Sequence, residues 1–126
     1  MDEQEARVVS VVDDDGSLRR SVRNLLTSVG FSVETFASAE AFLGSMHRDK
    51  TGCLVLDFRM EGMDGLELLR HLVAAGSCIP VVILTAHGDD DLRDRALQSG
   101  AVAFLSKPFH ADVLLDAVKT AMGRGG

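Results

Sequence analysis

The chain has 126 residues, 46% of them hydrophobic, enough for one ordinary core and therefore one domain over residues 1–126. Nineteen acidic residues against thirteen basic ones leave a net charge of −6, which disfavours non-specific attraction to nucleic acid or anionic lipid and excludes direct DNA or membrane binding as the expected role of this segment. The acidic start Met1-Asp2-Glu3-Gln4-Glu5 is unlike a secretory signal, the apolar runs are too short to cross a bilayer, and Cys53 and Cys78 form no CxxC pair, so the expectation is a cytoplasmic chain with two reduced thiols.

Short apolar runs alternate with longer stretches of helical period, the pattern of strand and helix units that build a parallel sheet. The first strand is predicted at Val8 to Val12, followed by a helix with Leu18, Val22, Leu25, Leu26 and Val29 on one stripe and Gly30 placed to end it. In the second strand, Ser32 to Phe36, residues Phe31, Val33 and Thr35 alternate with Ser32 and Glu34, so one face is half wet, as suits an edge. The third, Cys53 to Leu56, is, like the first, fourth and fifth, a nearly unbroken apolar run, as a strand covered on both faces must be. Asp64 and Glu67 have the spacing of a capping box opening the third helix, whose buried stripe is predicted as Leu66, Leu69, Leu72 and Val73.

A fourth strand is predicted at Val81 to Leu84. Beyond it, Asp89, Asp90 and Asp91 favour the positive N-terminal end of a fourth helix. That helix has only Leu92, Ala96 and Leu97 as clear apolar positions and should be loosely held. The fifth strand, Val102 to Leu105, leads to a last helix with Val113, Leu114, Ala117, Val118 and Ala121 on one stripe. The core of the domain covers about residues 7 to 122, and Gly123-Arg124-Gly125-Gly126 reads as the start of a flexible linker or an expression boundary.

Just past each strand stand polar residues: Asp13 and Asp14 after the first, Asp57 after the third, Thr85 after the fourth, Ser106 and Lys107 after the fifth. In an open parallel sheet of order 2-1-3-4-5, strands one and three meet where the connections reverse, and ligands bind outside the carboxyl ends at that crossing. Asp13, Asp14 and Asp57 would converge there. Three crowded carboxylates must raise a pKa or recruit a cation, and magnesium is commonly held by one or two carboxylates together with a phosphate. Lys107 and Thr85 add a cation and a hydroxyl donor for a phosphoryl group's oxygens. Any one of these aspartates alone would be read as a turn former or helix cap; the conjunction of acids, hydroxyl and lysine past different strands is the stronger signal.

The segments Val11-Val12-Asp13-Asp14, Leu56-Asp57-Phe58-Arg59-Met60, Leu84-Thr85-Ala86 and Ser106-Lys107-Pro108-Phe109 resemble the four signature segments of response regulator receiver domains. Ser38-Ala39-Glu40-Ala41-Phe42-Leu43 and Thr85-Ala86-His87-Gly88-Asp89 look more like the subclass joined to a LuxR-type helix-turn-helix output domain. The resemblance implies a flavodoxin-like doubly wound α/β fold of five parallel strands and five helices. It implies Asp57 as phosphoacceptor, with Mg2+ (or Mn2+) ligated by Asp14, Asp57 and the backbone carbonyl of Arg59, and Asp13 acting through ordered water. Lys107 would pair with the aspartyl phosphate, Thr85 would bond one of its oxygens, Phe104 would change rotamer as Thr85 moves, and Lys107-Pro108 would be cis. A sensor histidine kinase is the implied phosphoryl donor, and a phosphorylation-dependent homodimer controlling transcription is the implied output.

Phe104 reads equally as an ordinary core or edge aromatic. Arg59 and His87 flank the pocket at positions that tune phosphate lifetime by resemblance, or are solvated loop residues. His47, His71 and His110 lack metal-ligand spacing. Glu61 departs from the family, which usually has proline after Met60; it frees a backbone angle in the loop that supplies the Arg59 carbonyl and is read as a solvated loop charge or a fourth nearby carboxylate. Among rival readings, a haloacid dehalogenase-type phosphohydrolase resembles DxDxT, but Arg59 occupies the second acid's position. A flavodoxin-like cofactor binder would have to place its phosphate against Asp13-Asp14-Asp15, and a phosphate-independent binding module would not need all five signature side chains.

Overall fold

The computed structural model describes residues 7–46, 48–86 and 90–125. In chain order the elements are β1 (Val8–Val12), α1 (Gly16–Ser28), β2 (Val33–Phe36), α2 (Ala39–Leu43), a 3-10 turn at Arg48–Lys50, β3 (Thr51–Asp57), α3 (Gly65–Ala74), β4 (Val81–Thr85), α4 (Asp90–Gln98), β5 (Ala103–Ser106) and α5 (Ala111–Gly125). All four strand pairings are parallel and the order is β2-β1-β3-β4-β5, as expected for a doubly wound sheet.

Two apolar layers follow from the period of two along each strand. Cys53 and Val55 of β3, with Val82 and Leu84 of β4, face α1 and α5 through Val22, Leu26, Leu114 and Val118. Leu54 and Leu56, with Ile83, face α2 and α3 through Phe42, Leu68, Leu69 and Leu72. The central β3 is buried over its whole length, whereas every residue of the edge strand β2 is half-buried. On the β2 side, Phe42 sits edge-on to Phe36 with ring centroids 5.5 Å apart, which anchors the short α2.

The helix ends follow their local chemistry. Asp15 caps α1 by accepting from Ser17 N (2.9 Å) and Leu18 N (3.3 Å), and Gly30 takes the left-handed conformation (φ 102°) just after it. At α3 the expected capping box is complete: Asp64 accepts from the Glu67 amide at 2.8 Å and Glu67 accepts from the Asp64 amide at 2.9 Å. Asp90 and Asp91 fall in the first turn of α4 as expected; Asp89 lies outside the described residues.

Several expectations are corrected. Val29, Val73 and Val113, each assigned to an apolar stripe, are exposed; each sits at a helix end, Val29 as the cap just past α1, Val73 next to last in α3 and Val113 third in α5. Leu68, left out of the α3 stripe, is fully buried, since α3 lies over the centre of the sheet and buries a broader face than one row. β2 begins at Val33 and β5 runs one residue later than expected, because at an edge the single pairing neighbour sets the boundary; Thr85 pairs with Ser106. Asp57 and Thr85 are the last residues of their strands and do not stand beyond them. Cys53 is buried and Cys78 exposed, both free, and burial pushes the Cys53 thiol up to about 12. No helix among the described residues is long and apolar enough to cross a membrane.

Candidate functional site

β1 and β3 are adjacent and end together, with Val12 in register with Leu56, so Asp13 and Asp57 leave the sheet side by side. One carboxylate oxygen from each of Asp13, Asp14 and Asp57 lies within 4.8 Å of the others. Asp13 is 3% exposed and Asp57 7%, while Asp14 is open to solvent. From the far side, β5 pairs with β4 and delivers Lys107, whose backbone N–H donates to the Thr85 carbonyl at 2.7 Å. The Lys107 ammonium, 22% exposed, donates to Asp57 Oδ1 at 3.0 Å and lies 3.5 Å from Asp13 Oδ2. Thr85 is buried at the end of β4.

Burial raises the carboxyl pKa of Asp57, opposed by the hydrogen bond from Lys107; Asp13 and Asp14 reinforce the rise. Burial also raises that of Asp13, opposed first by the Asp15 amide, which donates to Asp13 Oδ1 at 2.8 Å, and then by Lys107. Among the described residues, the Lys107 ammonium thus pairs with two of three clustered carboxylates, Asp57 and Asp13, both largely withdrawn from water. An all-oxygen donor set with unneutralised negative charge suits a hard divalent cation that retains waters, and these residues fit magnesium on that ground.

The loop between β3 and α3 forms the outer wall. Asp14, Phe58, Arg59, Met60, Glu61 and Asp64 line an open cleft there, with Arg59 and Glu61 exposed. Gly65 closes the loop by donating to the Phe58 carbonyl at 2.9 Å, and a Cβ at Gly65 would stand 2.5 Å from the Asp57 carbonyl oxygen, so only glycine lets α3 start so close to the site.

Asp13, Asp14, Asp57, Thr85 and Lys107 are therefore gathered at one end of the sheet. Phe104 is half-buried beside Ile83 and packs against the α3 layer. Lys107-Pro108 is cis. His71 and His110 are exposed; His47 and His87 lie outside the described residues. Two supports were missed from the sequence. Arg19 Nη1 donates to the Asp13 carbonyl at 2.7 Å, and Glu40 accepts from the Met63 amide at 3.1 Å. The only signal for Arg19 was its place near the start of α1, within reach of the β1 end; for Glu40, 23 residues from its partner, there was none.

Comparison with known proteins places the chain. Residues 9–119 match the family described as response regulator receiver domain. Response regulator protein TodT of Pseudomonas putida is 40% identical over 117 residues, covering 93% of this chain and 52% of TodT. Transcriptional regulatory protein FixJ of Bradyrhizobium diazoefficiens is 44% identical over 114 residues, 90% of this chain and 56% of FixJ. The solved structure of response regulator StyR superposes with a TM-score of 0.87 at 49% identity, covering 94% of this chain and 60% of that one. The chain thus spans about half the length of the curated relatives it matches. It belongs to the response regulator receiver domain family, the signalling domains of two-component systems.

Proposed function

We propose that this receiver domain takes a phosphoryl group onto Asp57 from a partner sensor histidine kinase, in a magnesium-dependent reaction, and passes the change to an output surface around α4, β5 and α5. The observation that carries this reading is the buried Asp57 carboxylate held 3.0 Å from Lys107 and grouped with Asp13 and Asp14. An Asp57 oxygen attacks the phosphorus of phosphohistidine; the O–P bond forms as the P–N bond breaks, and the imidazole keeps the electron pair and takes up a proton. Later attack by water on the same phosphorus regenerates the carboxylate, a step the domain assists itself.

A bound magnesium ion, or manganese in its place, supplies positive charge toward the phosphoryl oxygens. Its ligands in this reading are Asp14, Asp57 and the Arg59 backbone carbonyl, with Asp13 acting through an ordered water. The Lys107 ammonium and the Thr85 hydroxyl neutralise and orient the phosphoryl oxygens. Magnesium plus acetyl phosphate should add one phosphoryl mass to the intact chain, and Asp57→Asn should abolish the addition; equal labelling of that variant would overturn the assignment.

The output is a population shift: phosphate draws Thr85 inward, Phe104 follows, and the α4–β5–α5 face, with Asp112, Asp116 and Lys119 exposed on α5, takes a packing that favours a symmetric homodimer. One receiver unit with its core at about residues 7–122, in the cytoplasm and ahead of a LuxR-type DNA-binding domain, completes the reading. The name of the relative FixJ, a transcriptional regulatory protein, supports transcription control as the destination. Sedimentation with and without beryllofluoride should show a dimer only in its presence, with Thr85→Ala uncoupled; a monomer in both states at high concentration would sink the dimer.

A further inference from the structure

We propose that Glu40 on α2 is a positioning residue that holds the β3–α3 loop, and with it the Arg59 carbonyl, in its metal-binding conformation; the inference rests on the magnesium reading above. The loop is fixed at both ends. Phe58 N donates to the Leu84 carbonyl at 2.8 Å, and the Gly65 closure and the Asp64–Glu67 box lock its exit. Between these points residues 59–63 carry no proline to restrict φ. Among the described residues, the one hydrogen bond joining this stretch to another element runs from the Met63 amide to Glu40 Oε2, at 3.1 Å.

The acceptor is presented from a fixed platform. α2 is only five residues long, but Ala39 and Phe42 on either side of Glu40 are fully buried, and Ser38 caps it by accepting from the Ala41 amide at 3.0 Å. The loop is shaped to receive it. Gly62 turns through the left-handed region (φ 79°), and a Cβ there would lie 2.9 Å from Glu40 Oε2, so the missing side chain both permits the turn and makes room for the carboxylate. Glu40 therefore acts on the site through backbone geometry, and without its anchor the loop must spend binding energy on ordering before its carbonyl can serve as a ligand.

The test is isothermal titration of magnesium into the whole chain and its Glu40→Ala, Glu40→Gln and Asp14→Ala variants, with hydrogen exchange of the Met63 amide followed in metal-free protein. Glu40→Ala should weaken magnesium binding by about fivefold and speed Met63 exchange, as expected for loss of one charge-assisted hydrogen bond at an exposed site. Glu40→Gln keeps an acceptor oxygen but removes the charge, and should restore most of both properties. Wild-type affinity in Glu40→Ala, unchanged Met63 exchange, or equal weakening in Glu40→Gln would overturn the proposal, the last by showing that long-range charge is responsible. Undiminished binding in Asp14→Ala is a different result, since it would overturn the metal reading itself.

Discussion

Two helices flank the working edge of the sheet, and they are held very differently. α3 starts with a complete capping box and buries Gly65, Leu66, Leu68, Leu69 and Leu72, while α4 buries Ala96 alone among its residues. The ion pairs along α4, Arg93 with Asp90 and Asp94 and Arg95 with Asp91, span 3.9 to 4.0 Å between side chains more than half exposed, so they contribute little. Under the proposed function the difference separates two requirements of a switch. Carboxylates that repel one another need a rigid frame to stay together, whereas an output surface must repack for a free-energy change no larger than a phosphate can supply.

The largest effects should therefore fall on the α3 side. Leu68→Ala removes a fully buried side chain from that layer and should cost about 3 kcal/mol in urea unfolding, whereas Leu97→Ala on α4, where the side chain is exposed, should stay within about 0.5 kcal/mol. Comparable losses at the two positions would erase the contrast. Next in size, Gly65→Ala should cost about 2 kcal/mol, because its Cβ would meet the Asp57 carbonyl oxygen at 2.5 Å and α3 or the end of β3 must give way. The same variant should also lower the rate of labelling by acetyl phosphate, since the strand end that shifts carries Asp57.

Metal binding sharpens the comparison at smaller scale. A cation bound only by the folded state stabilises it by RT ln(1 + [Mg]/Kd), about 1.4 kcal/mol at ten times Kd. The thermal midpoint should rise with magnesium, and Asp14→Ala should remove most of that rise while stabilising the metal-free protein by relieving repulsion. An unchanged magnesium response in Asp14→Ala would show that the cation binds elsewhere. Hydrogen exchange should slow around β3 and α3 on metal addition and stay fast in α4, where there is little packing to reinforce.

Much of this organisation was legible because both of its signals are periodic or terminal. Nearly unbroken apolar runs marked β1, β3, β4 and β5 as covered on both faces, which fails for β5, a half-buried edge strand; polar residues following these runs marked Asp13, Asp14, Asp57, Thr85 and Lys107 as neighbours at one edge. The looseness of α4 was legible in its few apolar positions. Stripe membership failed at Val29, Val73 and Val113, because helical spacing says which residues share a face but not where the helix ends, and all three stand at helix ends. The anchors of the site were invisible for a related reason. Glu40 to Met63 and Arg19 to the Asp13 carbonyl are side chain to backbone bonds, and a backbone partner leaves no residue type to recognise. Of the three successive aspartates, Asp15 alone is a helix cap, a division that only the direction of the chain leaving β1 could make.

The smallest expected effect is a pH dependence confined to the rigid centre. Burial raises the Asp57 and Asp13 carboxyls above their unfolded values, despite Lys107. Because the folded state holds these protons more tightly, their contribution to stability is fully present below the ordinary aspartate value of about 4 and is lost as pH rises through the folded pKa. In metal-free protein the two groups should thus make the folded state less stable as pH rises over this range. Asp57→Asn removes one titrating group and relieves Asp13 of a neighbouring charge, so its stability relative to wild type should grow as pH rises from about 4 toward neutrality. Saturating magnesium should shrink that advantage, because the cation favours the charged carboxylates of the wild type and lowers their folded pKa values. Urea unfolding of both proteins across this range, with and without magnesium, measures the difference directly. A wild-type to Asn difference independent of pH in the absence of metal would mean that Lys107 fully offsets burial at Asp57, and that the acidic centre is balanced before any cation arrives.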